Sequence, residues 1–378
     1  MSNKPRIYKY KNLRNVVTRL RDDLRDSDNG GVNFVLLYAF NGTGKTRLSM
    51  EFKGAGKRKR GIERDTLYFN AFTEDLFSWD NDLENDAERV LRINSDSRFF
   101  DGFKTLALEE RIFAYLGRYA KFNFKIDYDN WNIVFSKEVD NPKFRPDINE
   151  PETIIENNIK ISRGEENIFI WCIYLAICEL ALDDSNAYEW VKYFYIDDPI
   201  SSLDDNNAIA VSSDLAKLLR RSHEKKIKTV ISSHHSLFFN VMSNELKKEP
   251  HKLYFIHESG SGGYSLQSTT DTPFFHHVAM LSELQKACES GRLYANHFNV
   301  LRGVLEKTSS FFGFSDFSGC IHGIDDEVLF SRALNLLSHG DYSLFEPREL
   351  TDNNKQLITN ILNGFLERYA FDLPKLHP

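Results

Sequence analysis

The chain has 378 residues, 41% hydrophobic and 27% charged, enough for one large core and one smaller one in an ordinary globular protein. A formal net charge of −7 argues against a generally basic nucleic-acid binder. No leader pattern or unbroken apolar run of about 18 residues appears, so a soluble, cytoplasmic protein without a membrane partner is expected.

Residues 1–21 carry seven basic side chains, among them Arg14, Arg19 and Arg21, and no acidic one. A second basic run extends from Lys53 to Arg64. Each reads either as solvated surface or as a local footprint for a phosphate backbone. Residues 11–26 predict a helix whose apolar face is Leu13, Val16, Val17, Leu20 and Leu24, and a turn follows at 27–31. Val32 to Ala39 reads as a buried strand. It runs into Ala39-Phe40-Asn41-Gly42-Thr43-Gly44-Lys45-Thr46, with a helix from Arg47. Strand, glycine-rich turn, Gly-Lys-Thr and helix make a phosphate-binding loop. Gly42 and Gly44 let backbone N–H groups point at phosphates, Lys45 supplies a point charge, and Thr46 supplies a hydroxyl for Mg²⁺. Ala39 stands where the usual leading glycine would be.

Gly54 to Gly61 predicts an exposed loop and Thr66–Asn70 a strand. Ala71 to Trp79 mixes aromatic and acidic residues, which suits core packing or an element coupled to a nucleotide site. Helical spacing returns from Phe99 to Arg118, strand spacing covers 122–136, and 141–151 reads as a loop. The four cysteines (Cys172, Cys178, Cys288, Cys320) lack Cys-x-x-Cys spacing and read as reduced core residues.

Ile161-Ser162-Arg163-Gly164-Glu165-Glu166 opens a very apolar helix, Ile168 to Leu182, and Ser162 can serve as its cap. Val191 to Ile196 is an apolar strand that ends in Asp197 and Asp198. The first carboxylate suits Mg²⁺ and the second can orient or deprotonate an attacking water. Ser201-Ser202-Leu203-Asp204 follows, and a later strand, Lys228 to Ser233, ends in His234.

In this order the parts resemble the head of an ABC-type ATPase over about residues 30–240. The resemblance implies a nucleotide site for ATP or GTP with Mg²⁺, contacted by Asn41, Gly42, Thr43, Gly44, Lys45, Thr46 and Arg47, with Thr46 and Asp197 on the metal. Ser162, Gly164 and Glu165 stand for the signature motif, Asp204 for a dimer-contacting loop and His234 for the switch histidine. Asp198 sits where most relatives carry Glu, and its shorter side chain suits slow, timer-like hydrolysis. One set of motifs in a geometry where the signature completes the opposite subunit's site implies at least a homodimer. The 115 positions from Thr46 to Ile161 (161 − 46) hold no sustained heptads, which lowers DNA-end handling as a function.

The tail is where an output would lie. From Met280 to Phe312 the spacing is helical, and Arg302 and Glu306 are four apart on one face. Asn335 to His339 closes a second apolar helix. Leu301 to Gly313 and Asn335 to His339 resemble the nuclease region of the PrrC-type anticodon nucleases. So do Tyr38–Arg47, which shares Ala39, Phe69–Phe77 and Ile196–Pro199. That resemblance implies a tRNA endoribonuclease with lysine tRNA as its usual target and Arg302, Glu306 and His339 as its metal-independent catalytic set. It also implies 2′,3′-cyclic phosphate and 5′-OH products, a thymidine nucleotide as a further ligand, and a type I restriction–modification enzyme as silencing partner. Which of Glu306 and His339 is the base stays open, and His276, His277, His297 and His322 show no metal-ligand spacing.

The expected fold is therefore an α/β ABC-type P-loop ATPase head over 1–260 and a mostly α-helical nuclease domain over 261–378. The Gly/Ser-rich stretch 258–272 serves as the junction. A rival reading keeps the head but makes the chain a sensor that recruits a separate effector, with Arg302 and Glu306 a plain surface ion pair.

Overall fold

The computed structural model describes residues 6–25, 30–40, 42–57, 65–70, 76–80, 89–100, 108–144, 151–183, 186–199, 205–222, 225–259, 263–269, 276–294, 296–321 and 349–369. The chain divides into two compact units, Met1–Asp271 and Thr272–Pro378.

The first unit holds two sheets. Strands β1 (Ile7–Tyr10), β2 (Phe34–Tyr38) and β3 (Thr66–Asn70) begin the main sheet. A second, antiparallel sheet is then inserted: β4 (Phe77–Asp80), β5 (Val90–Ile93), β6 (Asn123–Asp127), β7 (Asn132–Asp140) and β8 (Thr153–Asn157). Strands β9 (Tyr193–Asp197), β10 (Lys228–Ser233), β11 (His251–Ser259) and β12 (Gly263–Ser268) return to the main sheet, whose order is β1-β12-β11-β2-β10-β9-β3. From β11 to β3 every pairing is parallel, and β2 is buried along its whole length, as a strand covered on both faces must be.

Helix α1 (Leu13–Asp23) is capped by the Asn12 side chain, and its face of Leu13, Val16, Val17 and Leu20 packs on β2 and β12 residues. Helix α2 (Lys45–Lys57) follows the glycine turn. It continues through residues 54–57, where a loop was expected, and at Gly56 it passes so close to Asp65 that a Cβ would clash; residues 58–64 lie outside the described residues. Asp65 in turn takes two hydrogen bonds from the Arg21 guanidinium, at 2.8 and 3.0 Å. Arg19 pairs with the buried Asp23, which also accepts from Lys252 and Tyr254. Arg19 and Arg21 therefore serve the core rather than a nucleic-acid footprint.

Helix α3 (Leu108–Leu116) is shorter than the helix expected over 99–118; a 3₁₀ turn occupies Arg98–Phe100. The strand expected over 122–136 is a hairpin, because the Asp127 carboxylate accepts from the N–H groups of Asp129 and Asn130 and turns the chain. Helix α4 (Arg163–Leu182) is apolar nearly all round, as befits a helix buried on every side. Phe169 packs on Phe124 and Phe135 of the second sheet, while Trp171 and Tyr174 meet Phe69 of the main sheet. Helices α5 (Asp205–Ser222) and α6 (Ser236–Glu245) complete the unit. Cys172 and Cys178 are buried and free, as are Cys320 and, half-buried, Cys288 in the second unit.

The Gly/Ser-rich stretch expected as a junction is instead the β11–β12 hairpin, and β12 pairs with both β1 and β11. Its Tyr264, Leu266 and Gln267 are buried, and the first compact unit extends to Asp271. The second unit contains α7 (His276–Ser290), α8 (Asn296–Phe312), α9 (Ser318–Ile321) and α10 (Asp352–Arg368). The single helical run expected from 280 to 312 is broken at Gly291, whose φ of +68° ends α7. Leu281, Leu284, Leu301, Leu305, Ile358 and Phe365 centre its core. No described helix is long and apolar enough to cross a membrane.

Candidate functional sites

The parallel strands end together: Tyr38 lies opposite Ser233, Ser232 opposite Asp197, and Asp197 opposite Asn70. Such an edge is where open α/β sheets bind ligands. Gly42 and Gly44 have φ of +83° and +88°, conformations a side chain would strain, and the turn delivers Lys45 to the first helical position. Thr43 bonds back to the Phe40 carbonyl at 2.8 Å through its hydroxyl. The Lys45 ammonium donates to the carbonyls of Ala39 at 3.3 Å and Phe40 at 3.4 Å and lies 3.4 Å from Asp198 Oδ2. Thr46 and Arg47 are exposed at the start of α2. Asn41 and Asp204 lie outside the described residues.

β10 intervenes between β2 and β9, and it serves both carboxylates. Ser232 Oγ donates to Asp197 Oδ1 at 2.6 Å, while Ser233 Oγ and the His234 N–H reach Asp198 Oδ1 at 3.1 and 3.2 Å. His234 Nδ1 meets Asp198 Oδ2 at 2.5 Å. Asp198 adopts a φ of +53°, so the chain turns abruptly after β9 and aims this side chain back toward Lys45 and His234.

The two carboxylates differ in charge behaviour. Burial raises the Asp197 carboxyl above its ordinary range, and the neighbouring Asp198 charge adds to this against the Ser232 and Thr46 hydrogen bonds. At Asp198 burial also pushes upward, but the His234 hydrogen bond and the Lys45 charge outweigh it and hold the carboxyl low. Facing a carboxylate, Nδ1 of His234 carries the proton, which leaves Nε2 for a second partner.

Three serines join the site by tertiary contact. Ser49 Oγ lies 3.4 Å from Asp197 Oδ2 and 3.0 Å from the Tyr68 hydroxyl, while Ser232 and Ser233 reach the carboxylates from the end of β10. The available signal was a pair of small hydroxyls ending an apolar strand beside a paired-carboxylate strand. The donor set fits Mg²⁺. A buried carboxylate and a threonine hydroxyl are hard oxygen ligands, and Mg²⁺ commonly takes one or two protein ligands with the remainder from phosphate and water. Left-handed glycines and an N-terminal helical lysine likewise fit a polyphosphate.

Ser162 caps α4. Its hydroxyl accepts from the Glu165 N–H at 3.3 Å, and Glu165 Oε2 accepts from the Ser162 N–H at 2.8 Å. Partial burial works to raise the Glu165 carboxyl, but the Ser162 bonds leave it low. Ser162 and Glu165 thus bond to each other rather than to the phosphate loop. A Cβ at Gly164 would meet nothing within 4 Å, so the chain's own packing imposes no glycine there.

In the second unit, α8 brings Arg302 Nε to 2.7 Å from Glu306 Oε1. Arg302 also lies over the Phe317 ring at 5.7 Å. His339 and His322 lie outside the described residues, as do residues 71–75. His297 is buried and its Nδ1 accepts from the Tyr294 N–H at 2.9 Å, a structural role.

A family described as an AAA domain matches residues 151–367. An anticodon nuclease from Escherichia coli is 32% identical over 367 residues, covering 89% of this chain and 89% of that protein. Among solved structures, an SMC head bound to the C-winged helix domain of ScpA covers 62% of this chain and 90% of its own. It has 9% identity and a TM-score of 0.28.

Proposed function

The chain belongs to the anticodon nuclease family and carries a P-loop ATPase head, and from that premise we propose that it is a nucleotide-gated tRNA anticodon-loop endoribonuclease. The observation that carries the reading is the Arg302–Glu306 pair at 2.7 Å, set on a helix of a compact unit separate from the one that holds Lys45, Asp197 and Asp198.

In the head, Lys45 and the glycine turn would bind ATP or GTP phosphates, and Thr46 and Asp197 would hold Mg²⁺, which would supply charge neutralisation to those phosphates. Asp198, kept ionised below the ordinary carboxylate range, is a weak base. It serves to orient water and to take its proton late, with His234 bracing it. Ser162, Gly164 and Glu165 would face the nucleotide of a second copy. The open space at Gly164 supports that role, because nothing among the described residues requires glycine there.

In the nuclease unit, the ribose 2′-OH attacks the adjacent phosphorus as its proton passes to one of Glu306 and His339. The other protonates the departing 5′ oxygen, and Arg302 stabilises the developing phosphorane charge. The P–O5′ bond breaks as the O2′–P bond forms, leaving a 2′,3′-cyclic phosphate and a 5′-OH. Lysine tRNA is the expected substrate, with a thymidine nucleotide and a type I restriction–modification enzyme as the expected regulators.

Sequencing of tRNA ends after brief induction tests the proposal. Wild type should give a break in one anticodon loop with a cyclic phosphate end, and His339→Ala should give none while ATP hydrolysis persists. Cleavage by a folded His339→Ala protein would sink the assignment. A second reading, a sensor without nuclease activity, draws on the half-exposed Glu306, whose contact with Arg302 is also that of an ordinary i,i+4 pair. Toxicity with intact tRNAs would favour it.

A further inference from the structure

The end of α8 exposes aromatic rings. Phe311 is 83% exposed, Phe312 51% and Phe314 38%. They are the exposed large apolar side chains among the described residues of the second unit, and all three are phenylalanine. Elsewhere the exposed set mixes in Met50, Ile154, Ile155 and Ile209. The rings are ordered against each other. Phe312 stacks on Phe314 at 5.9 Å and on Tyr369 at 5.2 Å, and Phe311 meets Phe312 edge-on at 5.3 Å. Gly313, with φ of +74°, reverses the chain so that Phe314 returns against Phe312. Exposed Arg368 lies over the Tyr369 ring at 5.8 Å, placing a cation at the rim.

Exposed apolar surface costs solubility and calls for an occupant. Rings alone, with a guanidinium at their edge, match flat π-faces linked by phosphates. Phe311 lies five residues beyond Glu306, about 7.5 Å along the axis of α8 and about 140° around it. At about 3.4 Å per stacked nucleotide the axial part alone spans roughly two nucleotides, and the path around the helix lengthens it.

Resting on the nuclease reading, we infer that Phe311, Phe312 and Phe314 form a stacking platform for unpaired bases of the RNA cut at Arg302 and Glu306. The platform holds unpaired loop bases by their faces, so it positions the loop without reading its sequence. Phe312, tied to Tyr369 and Phe314, forms its base, and Phe311 is the ring free to swing onto a base.

The test uses the full chain and a tRNA stem–loop, with initial rates measured for wild type, Phe311→Ala, Phe311→Leu and Phe311→Trp. Oligomeric state is followed by light scattering and folding by melting temperature. Ala and Leu should each raise KM about 5- to 150-fold, the equivalent of ~1–3 kcal/mol for one lost stack, with kcat changed less. Trp should restore KM. Leu behaving as wild type would overturn stacking in favour of plain apolar contact. A changed oligomeric state in Phe311→Ala would overturn it in favour of a second copy. Unchanged KM in all three variants would overturn the platform while leaving the nuclease reading intact. Wild-type protein that neither binds nor cuts the stem–loop would remove both.

Discussion

Lys45 Nζ and His234 Nδ1 converge on one oxygen, Asp198 Oδ2, at 3.4 and 2.5 Å. The carboxylate therefore ties the phosphate-loop lysine to the end of β10. Asp198→Asn keeps a residue that tolerates the left-handed backbone but removes the charge. ATP hydrolysis is expected to fall about 100-fold, with nucleotide binding largely kept. The melting temperature should fall without nucleotide, because buried Lys45 loses its counter-charge, and recover when phosphates replace it. Phosphate-release assays and thermal melts check both. The low carboxyl also gives the wild type a stability contribution that is present above the ordinary aspartate pKa and lost as pH falls through the lowered folded value.

Asp197 has the opposite sign. Burial raises its carboxyl, so the ionised form at neutral pH costs folding stability, and that cost is relieved as pH falls through the raised folded pKa. Asp197→Asn should raise the melting temperature of the nucleotide-free protein by a few degrees while abolishing the further rise that Mg²⁺ and ATP give the wild type. Thermal melts with and without Mg²⁺ decide it; an unaltered Mg²⁺ response would remove Asp197 from the metal site.

Two glycines of α2 should respond oppositely to alanine. At Gly54 a Cβ would meet nothing within 4 Å, so Gly54→Ala should stabilise by about 0.5–1 kcal/mol through helix propensity. At Gly56 a Cβ would sit 2.3 Å from Asp65 Oδ1, which Arg21 fixes with two bonds. Gly56→Ala should cost about 1–3 kcal/mol. Denaturant unfolding of the pair checks the contrast.

In the second unit, burial pushes Glu283 up to about 7, against the lowering charge of Lys286, and pushes His297 down to about 4. Protonated Glu283 favours folding increasingly as pH falls from about 7 to its ordinary 4.5. Neutral His297 contributes stability above its ordinary 6.5 that is lost as pH falls toward 4. The two slopes oppose each other between about 4.5 and 6.5. Glu283→Gln should unmask a loss of stability on acidification through that window, and His297→Gln a gain. Melting temperatures across the window would reveal either slope, and flat profiles in both variants would refute the pairing.

The head was legible because its chemistry is written in short, contiguous segments. Gly42-Thr43-Gly44-Lys45 and Asp197-Asp198 each carry their own geometry. The Ser162 capping box is likewise local, since Glu165 three residues on completes it. What escaped was set by tertiary contact. Ser49 and Ser232 reach Asp197 from different elements, and Arg21 is spent on Asp65, 44 residues away. The β12 strand hid behind a glycine- and serine-rich composition because its apolar content is only Tyr264 and Leu266, beside a buried polar Gln267.

Ser232, Ser233 and His234 are consecutive, and they address two consecutive carboxylates across one parallel strand pair. Five groups are therefore specified by a single alignment of two backbones. Sliding β10 by one position would turn each serine to the opposite face and strand both acids at once. Point substitutions can trim this site one bond at a time, whereas a single-residue deletion within either strand erases it whole. Length variation compatible with an intact site is thus confined to the connections between the strands.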